Sequence, residues 1–541
     1  MTFRRLALIL TALCSAVLLT ACGSSNSSLL THGLADGTYV FHLAGEDYTS
    51  PNTSPYFVAG AFTVSGGAIT AGEEDFIDYY GVFNALAIQP AGSGISVTAD
   101  GNLQIVLYTG LEGVGVNGTQ TINAARVTSS SARIAEFDAF ASGTGSLDLQ
   151  SGVAEPSGGY AFFAAGVDTK DLPLAMGGVI NIDNLNGTTG TISGAGSVFD
   201  LNNAPTLGLF SAQAFSASAV STPDSFGRVL FTLNPSNTSI GQIQLVGYVV
   251  NSTTIELVEI KDGLLGTMGG AALSQGSNAG TFSNTSLSGL TYVAGAQGQE
   301  TVAGEYAVGA PLLNLAGAVT FNAGSGIGGT VSFNDLSTSA VPAGNIIAGS
   351  YTVNTNPGTG RVTISGLTAT DTANTTYGPV TLQLYLDGTG NAFVVSMDVN
   401  DVTAGVAFQQ TASASVSGTY AMTANGTTVV TSPINNVTST TTYPWSAVGI
   451  VSASSGMATG FTDLNVLTNP LVTGTETPDV SLTGTASGTG DILTGTIGGL
   501  GYDVIANQYT YYVIDNNRAF AIETDANQLS EAFAQLSTAS K

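Results

Sequence analysis

Apolar and polar residues alternate along short stretches of the chain. Tyr39, Phe41 and Leu43 fall on one side of an extended segment, and Tyr351 with Val353 and Val362 with Ile364 repeat the pattern. A period of two predicts half-buried β-strands, because successive side chains of a strand point to opposite faces. The stretches end in Gly, Asn, Asp or Ser, as at Asp100-Gly101-Asn102 and from Asn184 to Gly187, and such residues supply the positive φ of tight hairpin turns. Helical periodicity is nearly absent; Ala526 to Leu536, after Asp525, is predicted as a short capped helix.

The strand pattern itself recurs. A Gly, a Tyr and a Gly six residues after the Tyr occur at Gly37/Tyr39/Gly45, Gly158/Tyr160/Gly166, Gly289/Tyr292/Gly298 and Gly418/Tyr420/Gly426. A second block follows each opening, from Gly60 to Asp75-Phe76, Gly178 to Asp200-Leu201, Gly317 to Asp335-Leu336 and Gly449 to Asp463-Leu464. A third closes it with a strand, acids and a Gln: Glu136/Asp138 with Gln150, Glu259/Asp262 with Gln275, Asp398 with Gln409, and Glu523/Asp525 with Gln535. Three blocks in one order, four times, predict four copies of one unit over residues 34–152, 153–278, 279–413 and 414–541. At 10 to 15 residues per strand and turn, each unit holds roughly eight to ten strands. The expected fold class is all-β, four tandem antiparallel meanders closed as small barrels, with β-sandwiches as the alternative.

The N-terminus departs from this pattern. Arg4 and Arg5 precede an apolar run from Leu6 to Leu19, too short for a permanent membrane span, and Leu19-Thr20-Ala21-Cys22 ends it. This is a lipoprotein signal: residues 1–21 are expected to be cleaved and Cys22 to carry the lipid, with residues 22–33 as a flexible tether. Cys14 lies inside the apolar run and leaves with the peptide. Gly23 in place of an Asp directs the expected anchorage to the outer membrane, on its periplasmic or surface face. A transmembrane barrel fits less well, since the strands are short and irregularly spaced and the chain ends Ser537-Thr-Ala-Ser-Lys541 without an aromatic.

The formal charge is -27, with 10 Lys and Arg against 37 Asp and Glu. Nucleic acid is excluded as a partner, because it demands clustered basic residues. With 43% apolar and 9% charged residues the chain folds, and Cys22 alone after cleavage leaves no intrachain disulfide.

Catalytic chemistry is scarce. The chain has two histidines, His32 in the tether and His42 on the first strand of unit one, so His-rich zinc sites cannot be built. No Gly-x-Ser-x-Gly elbow is present, and Gly113/Gly115/Gly118 and Gly324/Gly326/Gly329 match a dinucleotide pattern without the strand-to-helix context it needs. Carboxylates remain, so a two-acid glycosidase is the least implausible enzyme. Glu73, Glu74, Asp75 and Asp78 form the densest cluster, a solvated turn or a calcium ligand set. The closing acids recur once per unit, which argues for capping turns. Tyr79-Tyr80 and Tyr511-Tyr512, if exposed, offer stacking surface for a glycan, and Trp445 is the sole tryptophan.

The blocks Ser417-Gly-Thr-Tyr-Ala-Met422, Gly360-Arg-Val-Thr-Ile-Ser-Gly366 and Tyr511 to Asp525 resemble those of acidobacterial-type repeat-containing surface lipoproteins of unknown function. Unit one departs from them, with Gly101-Asn102 where units two and three have Gly227-Arg228 and Gly360-Arg361. The resemblance implies an anchor and a repeat fold and brings no catalytic residue. The expectation is a lipid-anchored envelope protein with a structural or binding role, without catalysis, cofactor or metal. Its partners are the membrane, through the lipid on Cys22, and an envelope protein or glycan. A lipoprotein that binds a small apolar molecule or glycan is the alternative, and a carbohydrate-active enzyme comes third.

Overall fold

The computed structural model describes residues 33–539 apart from 48–52, 80, 184–188, 193, 195, 262–265, 302–311, 336–340, 371–373, 412–415, 435–436, 468–474, 489–490, 502–505 and 526–527. Cys22, the signal segment and Asp262 lie outside the described residues.

The protein is all-β. Its strands form four antiparallel sheets in chain order: nine strands, ten strands, and two closed barrels of eight. In the ten-stranded sheet, pairing of Gly158–Val167 with both Pro173–Asp183 and Thr267–Ser274 also closes the circuit, leaving two strands as a flap. In each unit the last strand lies against the first: Tyr39 opposite Leu149, Tyr160 opposite Ser274, Tyr292 opposite Gln409 and Tyr420 opposite Leu536, although the nine-stranded sheet of unit one keeps two edges, Gly81–Ala87 and Gly94–Val97. The expected helix after Asp525 is therefore a strand, Gln528–Leu536, paired from Thr428 to Tyr420 along the opening strand of unit four. Without it that barrel would stay open, and tertiary pairing overrides a weak local preference.

The recurring residues explain the closure. Tyr39, Tyr160, Tyr292 and Tyr420 are all buried at equivalent positions. Gly45, Gly166 and Gly298 lie where opening and closing strands cross most closely. A Cβ there would sit 2.0, 1.8 and 1.9 Å from the carbonyl oxygens of Ser142, Thr267 and Val402. Side chains fill the unit interiors, with Phe41, Phe62 and Phe76 in the first, Phe199 and Phe231 in the second, Phe321 and Tyr351 in the third and Trp445 and Tyr509 in the fourth. Such filling is what a barrel of this size requires.

Four further apolar clusters lie between the units. Val40, Phe57 and Ile77 of unit one meet Val246, Tyr248 and Val258 of unit two. Ala161 and Val179 of unit two meet Tyr385, Phe393 and Val395 of unit three. Val293 and Ala316 of unit three meet Tyr512, Ile514 and Ile522 of unit four. Ala421 and Val448 of unit four meet Ala125, Val127 and Ala135 of unit one. The fourth unit thus packs on the first, and the units form a closed ring joined head to tail.

Candidate functional site

The recurring acids build the seams of this ring. Asp75 sits at a β-bulge, where the N–H of Ala85, a residue at φ +50°, donates to its carboxylate at 3.1 Å. The same carboxylate receives both arms of Arg228 from the next unit, Nε at 2.7 Å and Nη2 at 2.8 Å, and the hydroxyl of Tyr248 at 2.6 Å. Asp200 repeats the arrangement with the N–H of Ala212, with Arg361 at 2.7 Å through both nitrogens, and with Tyr385 at 2.7 Å. The Asp75 carboxylate raises the Arg228 pKa through their hydrogen bonds, and burial pushes the hydroxyls of Tyr248 and Tyr385 far above the usual tyrosine range.

The other two seams keep the frame with different chemistry. In unit three the equivalent of Asp75 is Ser332, because Ala316 and Gly317 pair with Ser332 and Val331 as Ala59 and Gly60 pair with Asp75 and Glu74. Asp335, chosen by its Asp-Leu pair, is three residues past that place. The Ser332 and Tyr512 hydroxyls lie 2.8 Å apart, and Ile492 stands where Arg361 stands in unit three. At the closing seam Asp463 accepts hydrogen bonds from the N–H of Asp479 at 3.2 Å and from the side-chain amides of Asn102 at 3.1 Å and Asn123 at 3.0 Å.

Two further contacts recur at the seams. Two residues beyond the acid, Asn202 donates to the carbonyls of Ser396, Asp398 and Asp401 of the next unit, and Asn465 donates to those of Glu136, Asp138 and Ala141 of unit one. Asn334 donates likewise to Glu523 and Asp525. In unit one this place holds Ile77, inside the apolar cluster of the first seam. At the end of each unit a side chain crosses to the next: Gln150 to the Phe226 and Val249 carbonyls, Gln275 to those of Thr359 and Leu386, Gln410 to that of Val513, and Ser537 to that of Arg126. The residues that reach main-chain carbonyls of the next unit are thus Gln410 and Ser537 in units three and four, one and two residues past Gln409 and Gln535, although Gln535 also crosses, its carboxamide oxygen accepting from Arg133 of unit one at 2.6 Å.

The acidic cluster of unit one does not converge on one point, since adjacent strand residues face opposite ways. Asp75 faces the seam. Glu74 is fully buried within the unit with both oxygens unpartnered, and burial raises its pKa to about 8. Asp78 accepts the N–H of Gly81 in a turn. Asp100, Asp463 and Asp479 do come together, with one oxygen each within 4.8 Å of the others. Their oxygens are in use as acceptors, since Asn102 donates to both Asp100 and Asp463 and Asn123 to Asp463 as well. Of the closing acids, Asp138 accepts the N–H groups of Phe140 and Thr121 and Asp398 that of Asn400, whereas Glu136 and Glu523 are buried and accept the hydroxyls of Tyr56 and Ser530. Of the aromatic pairs, Tyr79 is exposed, Tyr80 lies outside the described residues, Tyr512 is fully buried in a seam and Tyr511 bonds the carbonyls of Thr485 and Thr496.

A cavity of about 460 Å³ lies where the four units meet, and a second of about 290 Å³ shares its wall at His42, Val406, Asn425, Phe520 and Glu531. Opening strands supply much of its wall: Ala44 and Glu46, Phe163 and Ala165, Gln297, and Asn425. The Asn425 amide donates to the Gln297 carbonyl oxygen at 3.2 Å, joining units three and four. Burial lowers the His42 pKa to about 4 and raises those of Glu46 and Glu531 to about 7. Sequence reasoning missed this site, since His42 alone stood out and nothing local marks Gln297 or Asn425 as neighbours.

No protein-family model and no curated protein matches the chain. Among solved structures, intact Ap-TbpB with its N and C lobes is 10% identical over 95% of this chain and 96% of its own, at a TM-score of 0.18. A mutant of transferrin binding protein B from Haemophilus parasuis Hp5 is 10% identical over 95% and 97%, also at 0.18. The FrpB iron transporter from Neisseria meningitidis is 7% identical over 94% and 83%, at 0.14. Scores this low do not establish a shared fold and carry no argument about function. Among the described residues no helix is long and apolar enough to cross a membrane.

Proposed function

We propose that this chain is a lipid-anchored outer-membrane protein that works as a rigid ring with a structural or binding role and no catalysis. The observation that supports this reading most directly is the use to which its reactive groups are put. The recurring acids at three of the four seams are engaged by neighbouring units, Asp138 and Asp398 among the closing acids accept turn N–H groups, and Glu136 and Glu523 accept the hydroxyls of Tyr56 and Ser530. A group held by a bidentate arginine or by turn N–H groups is a poor proton carrier. The anchor rests on the Leu19-Thr20-Ala21-Cys22 sequence.

Labelling growing cells with a radioactive fatty acid tests the anchor. The wild-type chain should carry label and sediment with outer membranes, and Cys22→Ser should lose the label and accumulate as precursor. Label persisting on Cys22→Ser overturns the anchor. Turnover of a soluble polysaccharide panel by the purified mature chain overturns the non-catalytic role.

A further inference from the structure

We propose that the axial cavity binds one small uncharged molecule with a ring-shaped body and hydrogen-bonding groups at its edge. The proposal goes beyond the anchored-ring reading and stands or falls without it.

The wall at the ring centre is built by equivalent positions of four units, and these positions differ in chemistry. Three residues after the recurring tyrosine stand His42, Phe163, Gly295 and Thr423; five residues after it stand Ala44, Ala165, Gln297 and Asn425. Elsewhere equivalence is kept because the fold needs it, as with the buried tyrosines. Here the result is a sided chamber. Unit two gives Phe163 and unit four Phe520, aromatic lining held in place by Phe393 and Phe533 behind it. Units three and four give the joined carboxamides of Gln297 and Asn425, whose Nε2 and Oδ1 remain as one donor and one acceptor. The volume of about 460 Å³ falls in the range of small-molecule sites.

The same wall disfavours charge. His42 packs at the axis with its Nε2 unpartnered and its Nδ1 4.0 Å from Glu256, and the acids around it, Glu46, Glu256 and Glu531, are shifted by burial toward their neutral forms, while the guanidinium of Arg133 lies in the adjoining smaller cavity, donating to the Gln535 carboxamide. An ion brought into such surroundings loses hydration that nothing there replaces. A neutral ring compound with a donor and an acceptor keeps its hydrogen bonds and buries its faces.

The test uses the purified mature chain and N-phenyl-1-naphthylamine, an uncharged diarylamine whose emission rises in apolar surroundings. Trp445, the single tryptophan of the chain, lines the cavity, so a probe seated there quenches its emission by energy transfer. Saturable binding at one probe per chain, with Trp445 quenched over the same range, is the expected result. Ala165→Phe should fill the chamber and weaken binding at least tenfold. Val399→Ser, at a site 58% exposed, should leave it unchanged. If Ala165→Phe fails to fold, Ala44→Leu fills the cavity from unit one and is held to the same outcome. Non-saturable emission without Trp445 quenching, or wild-type affinity in a folded cavity-filling variant, overturns the proposal.

Discussion

Asn102 occupies at the ring-closing seam the place that Arg228 occupies at the first. Both follow a turn glycine at positive φ, Gly101 at +90° and Gly227 at +83°, and both reach the bulge acid of the preceding unit. Arg228 meets its acid as a bidentate ion pair, whereas Asn102 meets Asp463 with a single hydrogen bond from an uncharged amide at 3.1 Å. The seams therefore differ in strength although their frames match.

Asp75→Asn should be among the costly single changes. It leaves the Arg228 guanidinium, 20% exposed, beside a neutral group, and breaking a buried pair from one side costs about 3 to 5 kcal/mol. Tyr512→Phe at the third seam removes a neutral hydroxyl pair and should cost about 1 kcal/mol. Urea titration of the two variants side by side checks the order, and equal losses would mean that the ion pair adds nothing beyond packing.

Asn465→Leu should loosen the join between units four and one. The carbonyls of Asp138 and Ala141 lose the Asn465 donor together, at about 1 to 3 kcal/mol for each buried group left unmet, while that of Glu136 keeps the Ser446 hydroxyl. Limited proteolysis should then cut the variant near that seam at protease levels the wild type resists. An unchanged digestion pattern would show that the apolar contacts close the ring unaided.

Tyr420→Ala should destabilise unit four by about 3 to 5 kcal/mol, the range for a buried aromatic. Its ring is 2% exposed and its hydroxyl donates to the carbonyl of Asn516 at 3.1 Å. A loss below about 1 kcal/mol in urea titration would contradict a packing role.

Stability should fall as pH rises from about 5 to 8.5. Glu46 and Glu531 at about 7, and Glu74 and Glu256 at about 8, all lie above their unfolded value because burial favours the protonated form. The folded chain therefore binds more protons than the unfolded one across this window, and stability declines with pH. His42, lowered to about 4, acts the other way between about 4 and 6.5, as one group against four. Melting temperatures at pH 5.5 and 8.5 measure the effect, and Glu74→Gln should shrink the difference. A higher melting temperature at pH 8.5 would contradict the assignment of these acids as neutral.

Much of the fold was legible because repetition amplifies weak signals. One Gly and Tyr close together mean little, but four such openings at similar spacing marked the opening strands, and in three of them the Gly six residues after the Tyr lies where a Cβ would strike the closing strand. The ring was not legible, because a seam joins residues such as Asp463 and Asn102 that no local pattern links. The third block misled for the same reason: Gln409 and Gln535 look like partners of Gln150, but main-chain pairing of Gln410 and Ser537 with Thr291 and Thr419 gives the true equivalents. Asp335 was chosen over Ser332 because an acid was expected where a hydroxyl suffices.

Joining the four units in one polypeptide changes what evolution can do with the ring. A ring of four separate identical subunits meets every substitution four times, so its centre can carry four histidines or four phenylalanines but never one of each. Here each position is encoded once. His42, Phe163, Gly295 and Thr423 could diverge singly while the strands beneath them stayed alike. Covalent duplication thus turns a symmetric scaffold into one whose centre can match a partner with no symmetry of its own.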